Sequence, residues 1–315
     1  MEQELALGID IGGTNTAFGI VDKKGKIIAQ GAMKTTGYDT VEDFIAALVK
    51  NIRPLTHKAG KENIAGAGVG APNGNFYTGE IAFAPNLPWK GVIPLAALLG
   101  KALELKVTLT NDANAAAIGE MIYGAAQGMK DFILLTLGTG VGSGFVANGQ
   151  LIYGSDGFAG ELGHVIAVRN GRKCGCGRYG CLETYASATG IVRTAIEWLE
   201  TRTDDTVFRK DKDQLTAQTI HEAAQGGDGL ANELFEYTGN ILGEVLADAV
   251  AITSPEAIIF FGGLANAGAL LIDPTKKSME ANLLKIFQNK VSLLSSSLPA
   301  AGAAILGASA LVWQE

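Results

Sequence analysis

The chain has 315 residues, 18% of them charged, with a formal charge of −7 and a mean hydropathy of +0.21. That balance allows a large core and leaves no polybasic face, so nucleic acid and membranes are not expected partners. It shows no uninterrupted apolar run of about 18 residues, and the opening MEQELALGID carries glutamates where a signal peptide carries basic residues. The expected location is the cytoplasm, where thiols stay reduced and a structural disulfide is disfavoured.

From the N-terminus, LALGIDIGGTNTAFGIVDKKGKIIAQG reads as strand, glycine turn, strand, charged turn, strand. TVEDFIAALVKNI then reads as a helix opened by Thr40 and Asp43, with Pro54 expected to end or kink it. The GAGVG at 66–70 is a weak dinucleotide signal. KVTLT reads as a buried strand with Asn111 and Asp112 at its end and an Ala-rich helix after it. Asp112 there is either a helix N-cap or a carboxylate placed to take a proton from an attacking hydroxyl.

FILLTLGTGVGSGFVANGQLIYG repeats the opening scheme: Gly12 aligns with Gly138 and Gly25 with Gly149, at offsets of 126 and 124. The two copies read as an internal duplication, and Asn148–Gly149 is a hairpin signal. Glycine turns let backbone N–H groups approach phosphate oxygens, while each loop alone is equally a plain β-hairpin. No Walker A sequence is present.

All three cysteines fall in GRKCGCGRYGCLE, residues 171–183. The spacing lacks the C-x-x-C of redox motifs, and a tetrahedral zinc site needs a fourth ligand. His164 is the nearest candidate; the other histidines are His57 and His221. The alternative is three thiols in a glycine-rich loop without metal, but Gly, Arg and Tyr between the cysteines favour zinc. A closed Cys3His site leaves no position for water, so the metal would be structural. Glu161 and Glu183 flank these ligands. Tied to one knot they would suit a polyol; singly, each reads as a solvated loop residue.

Further along, the charge-rich 201–214 reads as an exposed loop without assigned function, and GLANELFEYTGNILGEVLADAVAITSP as a long amphipathic core helix. EAIIFF reads as a buried strand before Gly262 and Gly263, and AAGAAILGASALVW as a helix whose small residues suit close packing.

Five segments in order, DIGGT (10–14), NDANAAA (111–117), LGTGVGSG (137–144), GELGH (160–164) and CGCGRYGCLE (174–183), resemble the ROK family of bacterial sugar kinases and sugar-responsive repressors. The resemblance covers nearly the whole chain. It implies an α/β, two-lobed actin-like ATPase fold of the hexokinase/ribonuclease H-like type, with a ligand cleft between the lobes. The lobes would be residues 1–110 plus 299–315 and residues 111–298, the second carrying the zinc knot. The implied activity is transfer of the γ-phosphoryl of Mg-ATP to a hexose, commonly glucose at its 6-position, by a homodimer. N-acetylglucosamine, N-acetylmannosamine or mannose kinases share these motifs.

Position by position, the resemblance makes Asp112 the catalytic base and Asn111, Glu161, His164 and Glu183 sugar ligands, His164 using its second nitrogen. Gly74, Asn75 and Asn86 would be further sugar contacts. Asp10 would orient hydrated Mg²⁺, and Gly12, Gly13, Thr14 and Asn15 with Gly138, Thr139 and Gly140 would face the phosphates. Gly262 and Gly263 would lie on the adenosine side, and Zn²⁺ would sit on His164, Cys174, Cys176 and Cys181. A non-catalytic sugar-sensing regulator of the same family would carry a helix-turn-helix module before the first strand, for which no room is expected ahead of Leu5. An actin-like filament or chaperone would have no use for Glu161, Glu183 and the knot.

Overall fold

The computed structural model describes residues 4–314; Met1 to Gln3 and Glu315, counted with the first lobe in the division above, lie outside these. In chain order the first elements are β1 (Leu5–Ile11), β2 (Asn15–Asp22), β3 (Ile27–Lys34), α1 (Val41–Ala59), β4 (Ile64–Gly70), β5 (Ile81–Ala82), β6 (Val92–Ile93), α2 (Leu95–Leu103), β7 (Val107–Thr110) and α3 (Asp112–Tyr123). There follow β8 (Phe132–Leu137), β9 (Val141–Ala147), β10 (Gln150–Leu151), α4 (Glu183–Ala186), α5 (Ala188–Thr201), α6 (Ala217–Gln225), α7 (Gly229–Thr253), β11 (Ala257–Phe261), α8 (Ala269–Asn282), β12 (Ser292–Ser295) and α9 (Ala303–Ala310).

Packing divides them into two units. One runs to Met129 and adds Gln150–Ala159 and the chain from Ser297; the other comprises Lys130–Gly149 and Gly160–Ser296. The sequence-based division set α3 apart from the first lobe. In the structure α3 packs on α9 within the first unit, close enough that a Cβ on Gly119 would stand 2.8 Å from the Gly307 Cα.

In the first unit the strand order is β3-β2-β1-β4-β7. β1, β2 and β3 form an antiparallel meander, while β4 and β7 lie parallel to β1. The central strands read as near-continuous apolar runs because both faces are covered: Leu7, Ile9 and Val69 meet Phe44, Leu48 and Ile52 from α1 in one core. Thr40 caps α1 by accepting the Asp43 N–H at 3.1 Å. The helix does not end at Pro54 but continues to Ala59. Pro54 lies on the exposed side, where water can take the carbonyl its missing N–H leaves open, and Ile52 and Thr56 hold the buried side.

The opposite face of β1 and β4 receives α9. A Cβ on Gly8 would lie 2.2 Å from the Ile305 carbonyl oxygen, and one on Gly68 only 1.8 Å from that of Ala308. Glycine there is a matter of room: the helix backbone rests directly on the sheet.

The second unit repeats the plan. β8 pairs antiparallel with β9 and parallel with β11, which pairs parallel with β12. The order β9-β8-β11-β12 is that of β2-β1-β4-β7, so the duplication seen in the glycine turns extends through four strands. Asn148 and Gly149 both have positive φ, 52° and 76°, as a type I′ turn requires. The core is built on α7, whose Leu234, Phe235, Leu242 and Leu246 pack with Ile133, Ile258 and Phe260. Residues 201–214 are not wholly exposed as expected: Phe208 is buried in this core, and Arg209 donates to the carbonyls of Leu199, Arg202 and Asp204. Among the described residues no helix is long and apolar enough to cross a membrane.

Gly68→Ala should destabilise the protein by at least about 2 kcal/mol, because its methyl meets backbone rather than a movable side chain. Gly229→Ala, at the first position of α7 with open space before it, should be nearly neutral. Equilibrium unfolding of both variants checks this.

Candidate active site and metal centre

Three parallel strands bring the first group of side chains together. The register pairs Asp10 with Gly70 and Gly70 with Thr110, so β1, β4 and β7 finish level, and Asp112 follows two residues on. A Cβ on Gly70 would lie 3.6 Å from the Asp112 Cα and 3.7 Å from an Asp10 carboxylate oxygen, so both acidic residues border this strand end. Open α/β sheets place their ligands at such strand ends. The cap of α3 is Asn111, whose Oδ1 accepts the Asn114 N–H at 2.6 Å. Asp112 is therefore not the cap; its Oδ1 accepts the adjacent Ala113 N–H at 2.9 Å, and the residue is exposed.

Burial pushes the Asp10 carboxyl up to about 7, with repulsion from Asp112 adding to it. Crowding by protein also raises Asp112, against the N–H groups of Ala113 and of Asp112 itself, although the residue as a whole is exposed. Beyond Asp10 the turn into β2 presents Gly12, Gly13, Thr14 and Asn15, with the Gly12 N–H donating to the Asn15 carbonyl at 3.0 Å. Thr14 and Asn15 are exposed. Gly13 lies against the loop that carries Asn86, itself exposed: a Cβ on Gly13 would stand 2.7 Å from the Asn86 carbonyl oxygen.

Gly74 is packed equally tightly, over the Thr110 carbonyl. Asn75 is buried, and its side chain is engaged within the protein. Its Oδ1 accepts the N–H groups of Tyr77 and Thr78 and its Nδ2 donates to the Asp156 carbonyl at 2.6 Å. That leaves one amide hydrogen for a ligand, so Asn75 serves first to shape its loop.

In the second unit Gly138, Thr139 and Gly140 form the turn between β8 and β9, with Thr139 exposed. Glu183, at the start of α4, reaches this turn: its Oε2 accepts the Val141 N–H at 3.1 Å and would stand 2.2 Å from a Cβ on Gly140. Gly140 thus makes space for a carboxylate. Ala188 N–H and the Thr189 hydroxyl bind the carbonyls of Gly138 and Thr139, both at 2.8 Å. Gly262, with φ 103°, packs on the end of β8 beside this turn, and Gly263 follows it with open space around it.

The same segment that carries Glu183 carries the metal donors. The ligand atoms of His164, Cys174, Cys176 and Cys181 all lie within 4.8 Å of one another. Cys174 Sγ is 3.8 Å from His164 Nδ1, and Cys176 Sγ is 3.6 Å from Cys181 Sγ. A tetrahedron with Zn–S bonds of about 2.3 Å has edges of roughly 3.8 Å, so the donor set fits zinc. The Arg178 backbone N–H, partly offset by burial, brings the exposed Cys176 thiol down to about 6, which favours the thiolate a metal needs. Burial pushes Cys181 up to about 12 before any metal is bound. Glu161 precedes the one-turn helix that carries His164 and is exposed. Glu183 follows Cys181 by two residues and its Oε1 lies 3.9 Å from Cys174 Sγ, so this carboxylate sits directly beside the knot.

Motif reading missed the side chains that anchor the knot. Arg172 is buried over the Tyr185 ring, binds Glu197 through Nε and Nη2 and donates to the Thr184 carbonyl, tying the knot to α5. Arg178 donates to the His164 carbonyl. A basic residue beside cysteines is ordinary in sequence; only the fold shows its partners.

Protein purified without chelator should carry about one zinc ion per chain, and Cys181→Ser should lose it together with thermal stability; metal analysis and unfolding check this. The Asp10 carboxyl binds its proton more tightly folded than unfolded, so its stabilising contribution is complete at low pH and is lost as pH rises through about 7. Unliganded Asp10→Asn should therefore be more stable than the parent at pH 8, by about 2 to 4 kcal/mol, with the gap closing towards pH 4. Denaturant titrations at the two pH values measure it.

The sequence profile of the ROK family matches residues 6–315. A glucokinase of Halalkalibacterium halodurans is 37% identical over 293 residues, covering 90% of this chain and 88% of that protein. One from Thermotoga maritima is 33% identical over 309 residues, covering 97% and 96%. The crystal structure of a ROK family glucokinase from Streptomyces griseus in complex with glucose and AMPPNP superposes with a TM-score of 0.82 at 33% identity, covering 99% of this chain and all of that one. The repeated strand plan is accordingly that of the two-lobed, actin-like ATPase fold. On the match along its length, this chain belongs to the ROK family.

Proposed function

We propose that the protein is an ATP-dependent hexose kinase that converts glucose to glucose 6-phosphate. The observation that carries this reading is Asp112: an accessible carboxylate at a parallel strand end, relieved of capping by Asn111 and paired with a second carboxylate, Asp10. The glucokinase relatives and the glucose-bound structural neighbour support the choice of sugar.

In this reading Asp112, ionised, accepts the proton of the attacking sugar hydroxyl. Asn111, Glu161, His164 and Glu183 bind the other hydroxyls, with Gly74 and Asn86 nearby and Asn75 shaping the loop. His164 binds zinc through Nδ1, next to Cys174, and keeps its second nitrogen for the sugar. The turns at Gly12–Asn15 and Gly138–Gly140 offer backbone N–H groups and the Thr14 and Thr139 hydroxyls to phosphate oxygens, and Gly262 and Gly263 lie on the adenosine side. Mg²⁺ supplies charge neutralisation for the transferring phosphoryl group. Asp10 suits it, because a cation would stabilise the charged form that burial, and then repulsion from Asp112, disfavours. Zinc is structural. We read the protein as a cytoplasmic homodimer that commits glucose to glycolysis.

Asp112→Asn should lower kcat by at least about 100-fold while leaving the glucose Kd within a few-fold; normal turnover by this variant would falsify the assignment. Because Asp112 must be ionised and its carboxyl is raised, kcat should fall on the acid side at a higher pH than an ordinary aspartate would give. ADP release with Mg-ATP across glucose, mannose, fructose, N-acetylglucosamine and N-acetylmannosamine tests the substrate. Preference for an N-acetyl sugar or mannose would move the protein to that sugar's metabolism, and no turnover with zinc present would mean that the site serves binding alone or a substrate outside the panel.

A further inference from the structure

Directly behind Asp112 lies a buried polar chain that the kinase reading does not use. Thr110, the last residue of β7, is 0% exposed and Asn114, in the first turn of α3, 1%. The Asn114 Nδ2 donates to Thr110 Oγ1 at 3.3 Å. An amide nitrogen only donates, so Thr110 Oγ1 accepts here and keeps its own hydrogen to give; the Tyr153 phenol lies close enough for the Thr110 side chain to favour its charged form. The Tyr153 hydroxyl in turn faces Gln314 Oε1 at 3.4 Å. Burial raises the Tyr153 phenol, so it stays protonated and remains a donor.

Tyr153 is itself tightly held. Its ring stacks on Phe76 at 4.0 Å and 10° and meets Tyr77 edge-on. Tyr77 donates to the Gly154 carbonyl, and Asn75 to that of Asp156. Residues 150–159 are thereby clipped to the loop of Gly74 and Asn75.

We propose that Thr110, Asn114 and Tyr153 form a hydrogen-bonded brace that positions Asp112. They are positioning residues, and their catalytic consequence rests on the kinase reading above. The Asn114 side chain bonds back to Thr110 while its N–H caps on Asn111, so the peptides on either side of Asp112 are fixed at both ends. A packing role alone is a poor account of these residues. Asn114 Oδ1 is buried with no partner, a penalty that an apolar side chain at this place would avoid. The brace also links Asp112 to the Gly74 loop, so both would be set by one rigid group.

The test uses the full-length protein and three variants: Thr110→Val, which keeps the shape and removes the hydroxyl, Thr110→Ser, which restores it, and Tyr153→Phe, which keeps the stacked ring. In unliganded protein, amide hydrogen exchange at Ala113 and Asn114 should be about tenfold faster in Thr110→Val and Tyr153→Phe and near parental in Thr110→Ser. In the ADP-release assay the first two should lose about tenfold in kcat with the KM for glucose within about twofold, Thr110→Ser recovering most of the loss. The acid limb of kcat should move to lower pH as water reaches a loosened Asp112. Unchanged exchange in Thr110→Val would overturn the brace whatever the rates show, as would a Thr110→Ser as impaired as Thr110→Val. Absence of ADP release by the parent protein would instead defeat the kinase reading, with exchange still judging the brace.

Discussion

Everything in the first unit depends on β1, β4 and β7 ending level. With Asp10, Gly70 and Thr110 in register, a carboxylate near the end of β1 and another two residues beyond β7 border the same spot, the end of β4 between them. Neither carboxylate is comfortable: burial and mutual repulsion raise Asp10, and crowding raises Asp112. The proposed binding of a cation and acceptance of a proton would both draw on this unsatisfied charge, which the close backing of the sheet beneath helps to hold in place. The backing is the contact of α9 with Gly8 and Gly68, where helix and strand backbones touch with no side chain between them.

The second unit solves a different problem with the same strand plan. Its glycine turn carries no acidic residue of its own. The carboxylate arrives from a distant segment, Glu183, and is seated on the Val141 N–H in the room left by Gly140. That segment is loop-rich and would have little reason to hold still. Four metal donors and the buried Arg172 fix it, the donors by geometry and the arginine by hydrogen bonds to Glu197 and Thr184. A zinc ion bound there would act at one remove, by holding His164 directly and Glu183 through its short link to Cys181.

Much of this could be read from the chain itself because it is local chemistry. The Cys3His set, the doubled glycine turns, the strand before Asn111 and the long α7 each involve residues close in sequence or a periodic pattern, and each occupies its expected place in the structure. Pro54 shows where local rules stop. Its effect depends on which face of α1 it occupies, and the buried stripe Phe44–Leu48–Ile52–Thr56 keeps the helix going. Residues 201–214 show it again, since one buried phenylalanine and one arginine bound to carbonyls anchor a segment whose composition reads as solvent-exposed.

The sequence by itself determined the chemistry on offer: which side chains can ligate a metal, which turns can face phosphate, and which carboxylates are at strand ends. Only the tertiary structure decided how those groups are committed. Asn111 rather than Asp112 caps α3, Asn75 ties its own loop to the Asp156 carbonyl, and Tyr153 reaches Gln314 from across the chain. The reason is that a hydrogen bond is decided by distance and direction to a partner, and partners 81 or 161 positions apart leave no periodic trace in the sequence.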